Sequence, residues 1–196
     1  MFKIVCVTNR KLCERDFLEQ IENVAKCKPD MIVLREKDLD EETYEKLARQ
    51  VIAVCNKYGV LCVLHHFVQV ALRLQHNAIH LPLYILKEIK DEEKKFFKVL
   101  GSSCHSVEEA MEAEKLGCTY IFAGHIYETN CKRGLKGRGL DFLKAICNSI
   151  SIPVFGIGGI HKDNVLEVIN VGANGVALMS GFMRATDVYN IYNELL

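Results

Sequence analysis

Apolar residues along this chain fall into two alternating patterns: short continuous runs, and longer stretches in which they recur every three or four positions. The runs read as strands buried on both faces, the periodic stretches as helices with one face against a core. Residues 2–7 form a run that ends at Thr8-Asn9-Arg10, and residues 16–26 carry Phe17, Ile21 and Val24 at helical spacing. A turn at Pro29-Asp30 leads into a second run over 31–34, which empties into Arg35-Glu36-Lys37. Residues 41–58 then place Tyr44, Leu47, Val51 and Val54 on one helical face, with Gly59 as the stop. A third strand over 60–64 ends at His65-His66; a short helix over 68–74 and a brief strand over 78–81, stopped by Pro82, follow. The spacing predicts a helix over 84–90, a charged surface turn over 91–95 and a fifth strand over 97–101. Ser106-Val-Glu-Glu109 has the form of a capping box and starts a helix that Gly117 ends. Strands over 120–123, 153–157 and 175–178 and helices over 140–149, 161–171 and 188–196 complete the chain.

Eight strands alternating with helices, with no break in the pattern, predict a compact single-domain (β/α)8 TIM barrel over residues 1–196. An open doubly wound sheet would call for a Gly-rich loop after the first strand, and Val7-Thr-Asn-Arg10 has none. There is no linker, low-complexity segment or repeat beyond the strand–helix alternation.

Composition narrows the partners. Lys+Arg and Asp+Glu both number 25, so the formal charge is zero, which argues against nucleic acid or an anionic membrane as partner. The N-terminus lacks the form of a signal peptide, and no apolar run approaches the roughly 18 residues of a membrane span. The nine cysteines contain no C-x-x-C pair and point to reduced thiols in the cytoplasm rather than to zinc.

Residues 120–139 are the candidate centre of the chemistry. A buried strand passes through Gly124 into a polar loop bearing His125, Thr129, Lys132, Arg133, Lys136 and Arg138, with glycines at 134, 137 and 139. His125 is the side chain there able to take and return a proton near neutrality. The alternative is a histidine that caps a strand beside a solvated basic loop. In a barrel, polar groups just past the strands share one rim. These are Arg35, Lys37, His65, His66, His105, His125, Lys132, Gly158-Gly159 and Ser180-Gly181. Gly-rich turns after strands seven and eight present free backbone N–H groups to an anion, so a phosphorylated small molecule is the expected ligand. Glycines needed only for tight turns are the competing account. Arg35 and Lys37 alternate on a strand extension and should point the same way, adding positive charge. His65 and His66 look like metal ligands, but neighbours on a strand face opposite ways, and no metal site is expected. His105, beside a helix cap, reads as structural; His80 lies within a strand, and His76 and His161 read as surface positions.

Six ordered motifs then carry a resemblance over essentially the whole chain: Val33-Leu-Arg-Glu-Lys37, Ala78-Ile-His-Leu81, Gly101-Ser-Ser-Cys-His-Ser106, and residues 124–132, 153–160 and 172–181. Together they resemble the thiamine phosphate synthase / TenI superfamily. The resemblance implies that synthases join an aminopyrimidine pyrophosphate to thiazole phosphate, holding Mg²⁺ and pyrophosphate with two aspartates. One belongs to an Asn-Asp motif where this chain has His65-His66; the other lies in His-Leu-Gly-Gln-Glu-Asp, where it has His80-Leu-Pro-Leu-Tyr-Ile85. Val33 replaces a glutamine, and Thr129-Asn-Cys-Lys132 replaces Thr-x-Thr/Ser-Lys. A hydrophobic side chain cannot ligate Mg²⁺, so these departures count against synthase activity.

Where synthases have Gly-Pro, this chain reads Gly124-His-Ile-Tyr-Glu-Thr-Asn-Cys-Lys132, which resembles the TenI-type thiazole tautomerases. That resemblance implies a metal- and cofactor-free proton shift that aromatises a carboxythiazole phosphate. His125 would be the acid–base group. Gly158, Gly159, Ser180 and Gly181, with Thr129 in the adjoining loop, would hold the phosphate, and Arg35 with Lys37 or Lys132 the carboxylate. Thiamine phosphate synthase and a non-catalytic TenI-like regulator are the alternatives. The resemblance also allows a homo-oligomer.

Overall fold

A computed structural model describes residues 2–129 and 134–196. Eight parallel strands close into a barrel in chain order: β1 Lys3–Val7, β2 Met31–Leu34, β3 Leu61–His65, β4 Ala78–Pro82, β5 Val99–Cys104, β6 Tyr120–Gly124, β7 Val154–Ile157 and β8 Gly175–Leu178. The ring closes where β8 pairs with β1. Around it lie α1 Phe17–Lys26, α2 Glu41–Tyr58, α3 Val68–Arg73, α4 Leu83–Glu88, α5 Asp91–Phe96, α6 Val107–Lys115, α7 Gly139–Ser149, α8 Val165–Asn170, α9 Ser180–Met183 and α10 Val188–Asn193. No helix among the described residues is long and apolar enough to cross a membrane.

The two-residue period of a strand divides the core. Val5, Val7, Met31, Val33, Val63, Ala78, Tyr120, Phe122, Phe155 and Ala177 fill the barrel, while Ile4, Cys6, Ile32, Leu64 and Ile121 meet the helices in a larger layer. Continuing the inward register past Val33, Val63, Ala78 and Phe155 brings Arg35, His65, His80 and Ile157 to the floor of the C-terminal mouth. Helix starts are capped by Asp16 through Leu18 N–H (2.9 Å), Asp40 through Thr43 N–H (2.9 Å) and Ser106 through Glu109 N–H (3.1 Å). Gly59, at φ +70°, ends α2 in the left-handed conformation the sequence called for.

Several boundaries differ from the sequence expectation. Residues 91–95 belong to a helix rather than a turn: three acids in its first turn favour the N-terminus, and the Lys90 N–H donates to Glu93 Oε2 at 3.0 Å. β5 starts at Val99 and runs on through Ser102 to Cys104, because the Ser102 hydroxyl donates to the Leu81 carbonyl (2.9 Å) and so can be buried in a strand. The helix expected from 161 starts at Val165. The Asn164 side chain accepts from His161 N–H (2.8 Å) and donates to the Gly159 carbonyl (3.0 Å), which makes 161–164 a turn. β4 takes in Pro82 rather than stopping at Leu81 before it, the 188–196 helix stops at Asn193, and the short helix α9 follows β8 directly.

Candidate active site

The C-terminal rim collects the side chains that follow the strands. After β2 the chain leaves the sheet, and a lattice of hydrogen bonds fixes its path. The Arg35 N–H donates to Thr8 Oγ1 (2.9 Å), and the Thr8 hydroxyl donates to Glu36 Oε1 (2.7 Å). Glu36, 2% exposed, also accepts from the Arg10 N–H (2.9 Å) and guanidinium (2.9 Å). Asp38 pairs with Arg10 (2.7 Å) and Lys11 (2.7 Å). Both carboxylates beside the mouth are thus spent on Arg10 and Lys11. Arg35, half-buried, and Lys37, exposed, form no ion pair among the described residues. Arg35 to Lys37 is a loop ending in a turn, not the strand extension expected from sequence.

Next to Arg35 three imidazoles line up. His65 and His80 stack with centroids 5.9 Å apart, and His65 and His66 at 6.1 Å. His66 was expected on the opposite face, but its φ of +74° turns the chain out of the strand and lays its ring alongside. His80 is not an incidental strand residue. It is buried in the barrel, with Nδ1 3.0 Å from the Tyr120 hydroxyl and Nε2 2.8 Å from Ser103 Oγ. The Nδ1 atoms of His65 and His66 are shielded from water and have no hydrogen-bond partner among the described residues. Burial, reinforced by Arg35, pushes His80 down to about 3. Burial, then His80 and Arg35, push His65 well below its usual range, and burial with Lys37 lowers His66. Imidazoles this reluctant to ionise are neutral at pH 7.

A stability consequence follows. The unfolded chain binds these protons near pH 6.5, whereas folded His80 resists until about pH 3, so the stabilisation is complete above pH 6.5 and is lost as pH falls through that window. For His80 alone the effect reaches at most roughly 5 kcal/mol at the acid end. Chemical denaturation between pH 7 and 4 should therefore show a shallower loss of stability for His80→Gln than for the unsubstituted protein. Parallel slopes would mean that His80 is not held neutral.

Across the barrel, His125 follows the last residue of β6 and is 6% exposed. Its peptide bond with Gly124 is cis. The imidazole Nε2 lies 3.2 Å from the Leu135 carbonyl, which can only accept, so Nε2 carries a hydrogen, and in the neutral form of the ring Nδ1 is the lone-pair nitrogen. That Nδ1 is buried and has no hydrogen-bond partner among the described residues. The segment around Leu135 covers the ring, so it stands closed from water rather than open at the rim. The Arg138 N–H donates to the His125 carbonyl (3.0 Å), and the Ile126 N–H to the Ile157 carbonyl (2.9 Å).

Gly158 and Gly159 follow β7 with φ of +100° and +68°. A Cβ on Gly158 would lie 2.4 Å from His125 Cβ, and one on Gly159 2.6 Å from the Glu128 carbonyl oxygen. The pair therefore has a packing reason of its own, to let the loop after β6 lie directly on the β7 turn. Neither N–H donates to another described residue, which leaves both available to an anion. Ser180 and Gly181 open α9 after β8, both half-buried. Thr129 is half-buried, and Lys132 lies outside the described residues.

Of the residues singled out from sequence, Arg35, Lys37, His125, Gly158, Gly159, Ser180 and Gly181 thus share one rim, and His125 and Gly158 touch. Sequence reasoning missed His80, whose inward position follows from counting two residues on from Ala78, and it placed on the rim, as a structural residue, His105. The latter donates from Nδ1 to the Gly124 carbonyl at 2.7 Å. It also mis-aimed the capping box, since the Glu109 carboxylate accepts from the His105 N–H (2.6 Å) rather than from Ser106.

Residues 4–182 match the family model described as thiamine monophosphate synthase. The chain belongs to that family. It is 34% identical to the thiamine-phosphate synthase of Clostridium acetobutylicum over 95% of this chain and 90% of that protein. It is 33% identical to that of Fusobacterium nucleatum over 99% and 95%. The thiamine phosphate pyrophosphorylase of Pyrococcus furiosus superimposes with a TM-score of 0.84 at 30% identity, covering 99% of this chain and 93% of that one. The geranylgeranylglyceryl phosphate synthase of Thermoplasma acidophilum, at 11% identity and a TM-score of 0.67, shares the barrel alone. The two sequence relatives are named thiamine-phosphate synthase, the Pyrococcus protein thiamine phosphate pyrophosphorylase, and none of the three an isomerase, so at the level of whole-chain similarity the transferase reading is favoured over the tautomerase one.

Proposed function

We propose that this family member is a metal-independent isomerase that shifts a proton on a phosphorylated thiazole, with His125 as the acid–base group. The observation that carries the reading is the Nδ1 of His125, which has no hydrogen-bond partner among the described residues and, with Nε2–H bonded to Leu135, is the lone-pair nitrogen of the neutral ring. Nδ1 takes a proton from a ring carbon of the non-aromatic thiazole, and the imidazolium that forms is stabilised through Nε2–H by the Leu135 carbonyl. The same proton then returns to another atom of the substrate, so nothing is gained or lost and aromaticity supplies the driving force. The phosphate is bound by the amides of Gly158, Gly159, Ser180 and Gly181, and a carboxylate by Arg35 with Lys37.

The donor chemistry of the rim supports the same reading. Mg²⁺ takes oxygen ligands. The end of β3 offers His65 and His66, the end of β4 Leu81 and Pro82, and the nearby Glu36 and Asp38 are already paired. Among the described residues no group of three or more His, Cys, Asp or Glu side chains is arranged to hold a metal ion. These residues do not fit the metal that the synthase reaction implies. The second reading, thiamine phosphate synthase, is favoured by identities of 34% and 33% to proteins so named.

One pair of assays decides between them. With chelator present, the protein should convert carboxythiazole phosphate to its aromatic isomer, followed by NMR. With aminopyrimidine pyrophosphate, thiazole phosphate and Mg²⁺, it should form no thiamine phosphate. Mg²⁺-dependent thiamine phosphate formation, without isomerisation in the first assay, would replace this reading with the second.

A further inference from the structure

We infer that His105 is a positioning residue for His125, holding the peptide from which the imidazole projects. The inference rests on the reading of His125 as proton carrier, which the test below separates from it.

The β5–β6 ladder ends at Cys104 opposite Ala123, so Gly124 has no paired residue on β5. On the other side, β6 and β7 run one step further, to Gly124 opposite Ile157. Gly124, the residue before His125, is therefore paired with a strand on one flank only. His105, the first residue after β5, supplies the missing tie with its side chain: Nδ1–H donates to the Gly124 carbonyl at 2.7 Å.

His105 is itself anchored. Its N–H donates to Glu109 Oε2 (2.6 Å), and Glu109 stands in the first turn of α6, whose cap Ser106 accepts from the Glu109 N–H (3.1 Å). The start of α6 is thereby coupled to the peptide before His125. Beyond His125, the Arg138 and Ile126 backbone bonds complete the hold. Of the ties at the Gly124 and His125 carbonyls and the Ile126 N–H, the one to Gly124 comes from a side chain, and so it can be removed by substitution.

The donor's position defines the experiment. Asparagine places an N–H at the δ position, as Nδ1 does; glutamine places it one bond further out; alanine has none. His105→Ala should lower kcat for the isomerisation roughly 10–100-fold, the cost of about 1 Å of misplacement. His105→Asn should stay within about threefold of the unsubstituted protein, and His105→Gln should resemble alanine. Nitrogen-15 NMR of the His125 ring gives a readout that does not depend on turnover. The Nε2–H tautomer should dominate in the unsubstituted and Asn forms and give way to mixed signals in the Ala and Gln forms. Unchanged kcat and an unchanged His125 spectrum in His105→Ala would overturn the inference, as would an Asn variant as impaired as alanine. If His105→Ala does not fold, the Asn–Gln contrast carries the same decision. If the spectrum responds as expected but no form isomerises the thiazole, the positioning role stands and the isomerase reading fails.

Discussion

His125→Gln should abolish most of the isomerisation while leaving the fold intact, with kcat falling about 10²–10⁴-fold, the usual contribution of a positioned acid–base group. Glutamine is the informative replacement because its terminal amide can still donate to the Leu135 carbonyl, now 3.2 Å from Nε2, yet offers no basic nitrogen. His125→Asn is the companion variant: shorter, it gives up that bond as well. Losing a neutral hydrogen bond costs about 1 kcal/mol, which for a chain of this length lowers the thermal midpoint by about 2–4 °C. Both variants should bind the thiazole phosphate with affinity close to that of the unsubstituted protein, since the phosphate contacts are assigned to backbone amides past β7 and β8. Loss of turnover with binding retained is the signature of a group that acts on the reacting atoms rather than on the bound ground state. A glutamine variant with full kcat would remove His125 from the chemistry.

The barrel could be read from sequence because each strand is a short apolar run and each helix has a periodic face; Leu34 followed by Arg35-Glu36-Lys37, or Ala123 followed by Gly124-His125, marks a strand meeting its polar rim. Which strand residues look inward was not visible. In a parallel barrel both faces of a strand are buried, so Val5 and Val7 inside and Ile4 and Cys6 outside leave no alternation to detect. The same loss hid His80, which reads as one polar residue in an apolar run but stands at the barrel centre between Tyr120 and Ser103. Partners far apart in sequence were also out of reach. Nothing local to His125 signals that Leu135 folds back onto it or that His105 grips the peptide before it. The Thr8–Glu36–Arg10 lattice, which spends the acids beside the mouth, likewise joins residues more than 25 positions apart.

The split between motif and overall similarity has a physical basis. Thirty-four per cent identity spread over nearly the whole chain is dominated by the positions that build strands, helices and turns, so it reports the barrel and the family. Reaction type is decided by a handful of rim side chains, and His65-His66 and His125 stand on that rim, at the ends of β3 and β6. Neutral imidazoles beside Arg35 suit an anionic ligand that brings no cation with it.

The second large effect is expected at Gly158. At φ +100° a side chain is strained whatever space surrounds it, and here the space is taken: a Cβ would stand 2.4 Å from His125 Cβ and 2.9 Å from His125 Cα. Neither atom can rotate away, so the β7 turn and the peptide bearing His125 must separate. Strain and displacement together should cost about 3 kcal/mol or more, lowering the thermal midpoint by roughly 6–12 °C. At a temperature where Gly158→Ala is still folded, kcat should fall at least tenfold, because ångström-scale displacement of a proton carrier is enough to do so. Gly172→Ala is the matched control. Its φ of +108° is as unfavourable to a side chain, but its Cβ would meet only Cys147, with 3.3 Å to Cβ, in the loop before β8 at the other end of the barrel. That variant should lose stability and keep its turnover. If instead the two variants lose activity in proportion to stability alone, the contact between Gly158 and His125 is packing and nothing more. If Gly158→Ala is impaired well beyond what its midpoint explains, the β7 turn is part of what holds the imidazole in place.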